Sequence, residues 1–302
     1  AARKPGSIVS SNTSTLPLSV LTDGIADSLK ADFLITHFFN PPRYLRLLEV
    51  VAGEHTRAEA LAAVRRFGDH GLGKTIVPCK DTPGFIANRI GIYWLQCGVV
   101  RAMDEGLTIE EADAVMGRPA GIPKTGIFGL LDMVGLDLMP HVLGGMAEAL
   151  PETDPFHEVF CEPELIKRMI EDGYTGRKGK GGFYRLKPDT RDRIKEAVDL
   201  GTGRYRTAER PKPDSVAAAK KGGLKALLEH SDKTGRYAWW VLSRTLSYAA
   251  RLVPEISDDI TGVDDAMRLG YNWKFGPFEL IDQLGGDWFA ERLKADGMEV
   301  PK

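Results

Sequence analysis

The chain repeats itself. Gly126-Ile-Phe-Gly-Leu-Leu-Asp-Met-Val-Gly-Leu-Asp137 matches Gly276-Pro-Phe-Glu-Leu-Ile-Asp-Gln-Leu-Gly-Gly-Asp287 at an offset of 150 residues. Upstream, ADAVM ending at Met116 matches VDDAM ending at Met267, and each copy follows a long apolar helical pattern. Two copies at so long a period imply a duplicated helical unit, not a solenoid. A helix with one apolar stripe must bury it against another layer, so two such units constrain most of what the chain can build.

The front of the chain is different. Short apolar runs at 7–10 (SIVS), 33–39 (FLITHFF), 45–51 (LRLLEVV) and 74–79 (KTIVPC) read as buried strands, and 57–72 carries an amphipathic helical pattern. From Asp81 the character changes: DTPGFIANRIGIYWLQCGVVRAMDEG reads as a long helix, with Thr82 as N-cap and Pro83 at the first helical position. The fold class expected is therefore α/β followed by all-α. Residues 187–235, richer in Lys, Pro, Gly and Asp, read as a linker or exposed excursion.

At 302 residues, with 43% hydrophobic and 27% charged, the chain suits about two globular domains. A formal net charge of −2 with no basic face argues against nucleic acid or an anionic membrane as partner. No apolar run reaches the roughly 20 residues of a membrane span. Cys79, Cys97 and Cys161 show neither metal-ligand spacing nor a disulfide framework, so reduced thiols in a cytoplasmic protein are expected and no metal is implied.

Two ionisable residues stand out because they sit in strand-like apolar runs: His37 and Glu49. A hairpin centred on Arg43 would place them directly opposite each other on one face, since each lies six residues away. A carboxylate beside an imidazole orients the ring and fixes its tautomer, which makes a general base. It also describes a satisfied core pair, and spacing alone leaves both readings open.

Ser11-Asn-Thr-Ser-Thr15, His37-Phe-Phe-Asn-Pro41, Leu48-Glu49-Val50, Asp81-Thr-Pro-Gly-Phe-Ile-Ala-Asn-Arg89 and Gly176-Arg-Lys-Gly-Lys-Gly-Gly-Phe-Tyr184 together resemble the L-3-hydroxyacyl-CoA dehydrogenase family, in order and close to spacing. The resemblance implies the later part of a Rossmann-type NAD-binding domain at 1–80, a first helical C-terminal domain at 81–186, and a second copy of it at 236–302. It implies NAD as cofactor, an acyl-CoA substrate, and the NAD-dependent oxidation of L-3-hydroxyacyl-CoA to 3-ketoacyl-CoA in fatty-acid β-oxidation. By the same resemblance His37 is the base and Glu49 its partner. Ser14 contacts substrate and cofactor, Asn88 helps place the substrate, and Asn40 and Lys178 touch NAD. Ser14 and Asn40 could equally be turn residues, and Lys178 a solvated lysine. The duplicated helical domain is similar to that of the multifunctional β-oxidation enzymes, which implies a fused enoyl-CoA hydratase domain and a homo-oligomer or multienzyme assembly.

The chain departs from the family pattern in three places. The helix start GPFEL is kept as Gly276-Pro-Phe-Glu-Leu280 but becomes Gly126-Ile-Phe-Gly-Leu130 in the first copy. A GKKTGEGFY-like loop becomes GRKGKGGFY, with Lys178 retained. No GxGxxG occurs: Gly71-Leu-Gly73 reads as a helix C-cap and Gly179-Lys-Gly-Gly182 as a loop. The chain is therefore expected to be a fragment that starts partway through the nucleotide-binding domain and shows no turnover alone. Two other readings compete. The chain could be a non-catalytic helical assembly or dimerisation module, which NAD binding would distinguish. It could be another β-hydroxyacid dehydrogenase, but those use a catalytic lysine, unlike the His37–Glu49 pattern.

Overall fold

The computed structural model describes residues 3–4, 6–188, 190 and 192–301. In chain order the elements are β1 (Val9–Ser11), α1 (Leu18–Leu21), α2 (Asp27–Lys30), β2 (Phe33–Phe38), β3 (Leu47–Ala52), α3 (Ala58–Arg66) and β4 (Thr75–Cys79). Then follow α4 (Ala87–Asp104), α5 (Ile109–Val115), α6 (Phe128–Val134), α7 (Met139–Ala149), α8 (Phe156–Val159) and α9 (Glu164–Glu171). The chain continues with β5 (Tyr184–Leu186), β6 (Lys195–Val198), β7 (Tyr205–Thr207), α10 (Asp214–Leu228), α11 (Lys233–Arg251), α12 (Ile260–Gly270), α13 (Pro277–Leu284) and α14 (Gly286–Ala295). They form two compact units, one of residues 1–91, 248–280 and 301–302, the other of 92–247 and 281–300.

In the first unit the sheet order is β1-β2-β3-β4, with β1 parallel to β2, β2 antiparallel to β3, and β3 parallel to β4. The alternation of side chains explains what covers each face. Leu34, Leu48 and Val50 cluster with Phe38, Ile76 and the Leu61 and Val64 stripe of α3. The opposite face carries Ile35, His37, Glu49 and Val51, all buried. Helix α12 packs on β3 and β4. It approaches closely because it ends in Gly270, where a Cβ would stand 2.8 Å from Leu47. Gly73, with φ of +64°, ends the α3 segment as the C-cap reading expects.

The long helix begins later than the sequence suggests. Residues 82–86 form turns, α4 starts at Ala87, and Thr82 does not cap it. Gly84 and Phe85 take positive φ values of +73° and +52°, which no helix accommodates. A buried carboxylate from β3 takes over the capping, and no local propensity reports that.

The second unit is helical with a three-stranded antiparallel sheet, β5-β6-β7. The stretch expected as a linker at 187–235 is folded, which corrects that expectation; its Asp189 and Arg191 lie outside the described residues. Ala197 and Val198 of β6 are fully buried, as are Leu227 and Leu228 of α10. Arg206 on β7 forms a two-pronged pair with Glu110 on α5, both bonds 2.8 Å, and the Glu209 amide donates to the same carboxylate. The polar composition hid strands too short to show a pattern, and pairing with α5 makes up for it.

The two matching sequence segments share a device. Asp113 on α5 accepts from the amides of Phe128 and Gly129 at the start of α6, at 2.8 and 3.1 Å. Asp264 on α12 accepts from the amides of Phe278 and Glu279 at the start of α13, at 2.8 and 3.2 Å. Each aspartate thus caps the helix that follows in its own repeat, which a carboxylate does well at a helix N-terminus. Burial pushes the carboxyl groups up, to about 7 for Asp113 and about 6 for Asp264, against the pull of these donors.

Candidate active site

His37 and Glu49 are cross-strand partners in the β2–β3 register, as the symmetry about Arg43 predicts. His37 Nδ1 lies 2.6 Å from Glu49 Oε2. Their exposures are 3% and 0%, so the pair is desolvated and its geometry is held by packing. Phe39 meets the imidazole edge-on at 4.7 Å between centroids, and Phe85 lies 5.6 Å away. Because Glu49 accepts, Nδ1 carries the proton and the lone pair is left on Nε2. Nε2 makes no hydrogen bond among the described residues.

The second oxygen of Glu49 is also committed. Oε1 accepts from the amides of Ala87 at 2.8 Å and Ile86 at 3.2 Å, at the entry to α4. The positive φ of Gly84 and Phe85 turns the chain so that these amides face β3. One carboxylate therefore orients the imidazole and caps a helix, and the helix dipole favours its charge. Nearby Cys79 has its thiol pushed well above the ordinary range, by burial first and the Glu49 carboxylate second. It stays a neutral thiol, not a nucleophile.

Ser14 follows β1 and Asn40 follows β2, so both stand beyond the carboxyl ends of parallel strands, where open α/β sheets take up ligands. Both are exposed. Asn12 fastens the loop to β2 by accepting from the Phe38 amide at 2.9 Å. Asn88, one residue into α4, donates from Nδ2 to the Ser14 carbonyl at 3.3 Å. The first unit thus brings together His37, Glu49, Ser14 and Asn88. Lys178 lies in the second unit, with its amine 2.9 Å from Asp137 and packed over Gly135. Sequence reasoning missed the Ile86 and Ala87 amides and the Phe39 and Phe85 walls. The one available signal was Pro-Gly-Phe directly before the helix, since a glycine there permits the left-handed turn. Among the described residues no cluster of side chains could hold a metal ion. Nor, among them, is any single helix long and apolar enough to cross a membrane.

Residues 1–82 match the family model for the 3-hydroxyacyl-CoA dehydrogenase NAD binding domain, and residues 84–186 and 237–299 match that for the C-terminal domain. The chain belongs to the 3-hydroxyacyl-CoA dehydrogenase family. Its N-terminal part is the family's NAD-binding domain. It is 38% identical over 299 residues to a putative fatty acid oxidation complex trifunctional enzyme of Rickettsia felis, covering 99% of this chain and 41% of that protein. It is 40% identical over 301 residues to a probable 3-hydroxyacyl-CoA dehydrogenase of Bacillus subtilis, covering 99% of this chain and 38% of that one. The chain thus spans about 40% of the length of these curated relatives. The fold is shared with 3-hydroxybutyryl-CoA dehydrogenase of Escherichia coli, at a TM-score of 0.70 and 21% identity over 98% of this chain and 73% of that one. It is shared also with the dehydrogenase part of multifunctional enzyme 1 from C. elegans, at a TM-score of 0.52 and 18% identity, over 94% of this chain and 60% of that one.

Proposed function

We propose that the protein carrying this chain oxidises L-3-hydroxyacyl-CoA to 3-ketoacyl-CoA in fatty-acid β-oxidation, with His37 as base and Glu49 as its partner. The observation that carries this reading is the 2.6 Å His37–Glu49 contact, which leaves Nε2 as the free acceptor in a water-poor apolar box. Nε2 takes the proton of the 3-hydroxyl, and the Glu49 charge stabilises the imidazolium that results. NAD, when bound, supplies the hydride acceptor. Ser14 contacts the substrate hydroxyl, Asn88 helps place the substrate's polar groups, and the Asn88 bond to the Ser14 carbonyl holds that loop in place. Ser14 and Asn40 contact the cofactor; the exposed polar side chains after β1 and β2 suit a dinucleotide at the strand ends.

Residues 81–186 and 236–302 serve as two copies of one helical domain, and residues 1–80 as an NAD-binding domain. The equivalent caps made by Asp113 and Asp264 support this division. The second copy carries no His–Glu pair and acts structurally: its α12 covers the strands that bear the dyad. The relatives named as fatty acid oxidation complex trifunctional enzymes support an acyl-CoA substrate and a multienzyme setting; a cytoplasmic location, a homo-oligomer and a fused enoyl-CoA hydratase domain belong to the same proposal. The test is acetoacetyl-CoA reduction by the natural protein carrying this chain, followed by NADH absorbance. His37→Gln lowers kcat by about 10²–10⁴ with little change in KM for NADH. An active His37→Gln protein removes His37 as the base.

A further inference from the structure

A second concave site lies wholly in the second unit. It is a cavity of about 720 Å³ lined by five cationic side chains, Lys124, Arg177, Lys180, Arg185 and Lys195. Two of them are committed locally. The Arg185 guanidinium is 2.8 Å from Glu196, and the Lys180 amine donates to the Asp172 carbonyl at 2.9 Å. Lys124, Arg177 and Lys195 have no carboxylate partner among the described residues, and the Lys195 amine sits 3.7 Å above the Tyr184 ring.

Among the described residues the acids in the lining are Asp113 and Asp132. Both are spoken for. Asp113 accepts from the Tyr184 hydroxyl besides its two helix amides, and Asp132 accepts from the Phe183 and Tyr184 amides at 2.7 and 2.8 Å. Burial pushes them up to about 7 and about 6, so near neutral pH Asp113 is partly protonated while Asp132 stays largely ionised, and the five cations still outnumber them. The cavity is left with a surplus of positive charge, and a concave, partly apolar wall focuses that field.

The loop that builds the cavity is also where the sequence leaves the GKKTGEGFY-like pattern. In GRKGKGGFY the glutamate position is Gly181 and a glycine position is Lys180, so the change removes a negative charge and adds a positive one at this wall. Gly181 has a positive φ of +127°, and a Cβ there would meet Arg185 at 2.5 Å, so the fold of the loop itself selects glycine. Lys178 is separate: it does not line the cavity, and its amine pairs with Asp137.

We propose that this cavity binds the phosphates of a nucleotide-sized anion, held by Lys124, Arg177 and Lys195. A single phosphate would fill little of a volume that lies within the roughly 300–1,000 Å³ of ligand pockets. The Arg177 guanidinium offers a planar fork suited to phosphate oxygens, and the two lysines act as point charges. The nucleoside diphosphate chemistry could come from a free nucleotide or from the phosphorylated end of coenzyme A, and the probes separate these sources. The purified protein is titrated calorimetrically with inorganic pyrophosphate, ADP and coenzyme A at low and high salt. Saturable binding that weakens with salt is expected, since screening shortens the reach of exposed charges. The triple variant Lys124→Ala, Arg177→Ala and Lys195→Ala weakens it at least about tenfold, whereas Lys294→Ala, an exposed lysine outside the lining, changes it less than twofold. All three replaced side chains are exposed, so the variant folds, and Arg177→Glu alone provides a second check. Coenzyme A binding more than tenfold tighter than ADP assigns the site to coenzyme A; the reverse or equal order assigns it to free nucleotides. No binding of any probe at millimolar concentration, or equal binding by wild type and triple variant, overturns the proposal.

Discussion

Replacing Glu49 by glutamine keeps the shape of the side chain and removes its charge. In the wild-type structure three donors converge on the carboxylate: His37 Nδ1 at 2.6 Å and the Ile86 and Ala87 amides at 3.2 and 2.8 Å. Glutamine has one oxygen and one NH2 group, so it cannot accept from both sides. The two helix amides outnumber the imidazole and claim the oxygen, and the NH2 then faces Nδ1. His37 relieves the donor–donor conflict by moving its proton to Nε2, so Nδ1 accepts and Nε2 ceases to be a base. Exchanging charge-assisted bonds for neutral ones, together with the lost interaction with the helix N-terminus, costs about 1–3 kcal/mol. At about 2–4 °C per kcal/mol the melting temperature falls by a few degrees. Catalysis falls by more, about 10²–10⁴, because the proton acceptor is lost altogether. The assay pairs thermal melts and 3-hydroxyacyl-CoA oxidation, the direction that needs Nε2 as proton acceptor, with 15N NMR of the imidazole, whose two nitrogens report the tautomer directly. Glu49→Ala separates the two roles: it strands three buried donors at about 1–3 kcal/mol each and is clearly less stable than Glu49→Gln. A Glu49→Gln protein with unaltered activity and an unprotonated Nε2 refutes the tautomer argument. An alanine variant as stable as the glutamine one refutes the capping argument.

Other outcomes follow from single contacts. Gly84→Ala, at φ of +73°, destabilises the first unit by about 1–2 kcal/mol in denaturant titrations, because an L side chain is strained there. Gly91→Ala costs about 1–3 kcal/mol by the same measurement, since its Cβ would stand 2.1 Å from the Tyr271 ring. Arg206→Lys loses one prong of the pair with Glu110 and lowers stability by about 1–2 kcal/mol; an unchanged unfolding midpoint would show that the second sheet does not depend on it. Asp113 has its folded pKa raised to about 7 from the usual 3.8, so the folded state holds the extra proton between those values. Its contribution to stability falls as pH rises from about 4 to about 7 and is flat above. The stability difference between wild type and Asp113→Asn, measured at several pH values across that window, declines with rising pH; a constant difference sinks the argument.

Much of the first unit was legible because its strands obey a period of two and its dyad is symmetric about one residue. The four strands fall within two residues of their expected ends, and His37 opposes Glu49 as spacing requires. What the sequence concealed shares one cause: information carried by a distant partner. The start of α4 is set by Glu49, 38 positions before Ala87, so no helix-capping pattern around Thr82 could reveal it. The fold of 187–235 depends on Glu110, nearly a hundred residues away from Arg206. Its strands have three or four residues, too few for alternation to rise above the polar composition. The Asp113 cap is half visible, because ADAVM and VDDAM align with an aspartate in common, but an aspartate in a helical pattern does not announce which amides it reaches.

The contacts of Glu49 also explain why the dyad and the fold are difficult to separate by mutation. A carboxylate that only oriented an imidazole would need one oxygen; this one spends the other on the helix that begins with Ala87. Asn88, the next residue, holds the Ser14 loop, so the order of that loop depends on where α4 starts and therefore on Glu49. The face that bears the pair is in turn covered by α12, from the second repeat. A substitution in α12 that loosens its packing on β3 is thus expected to lower kcat without touching any polar group of the site, because wetting the pair weakens the bond that fixes the tautomer. Gly270 is the position to use, since a Cβ there would press on Leu47, a β3 residue two positions from Glu49, and on Phe39, which walls the imidazole. Gly270→Ala with full activity and an unshifted imidazole 15N spectrum would mean that the dyad is held by β2, β3 and α4 alone.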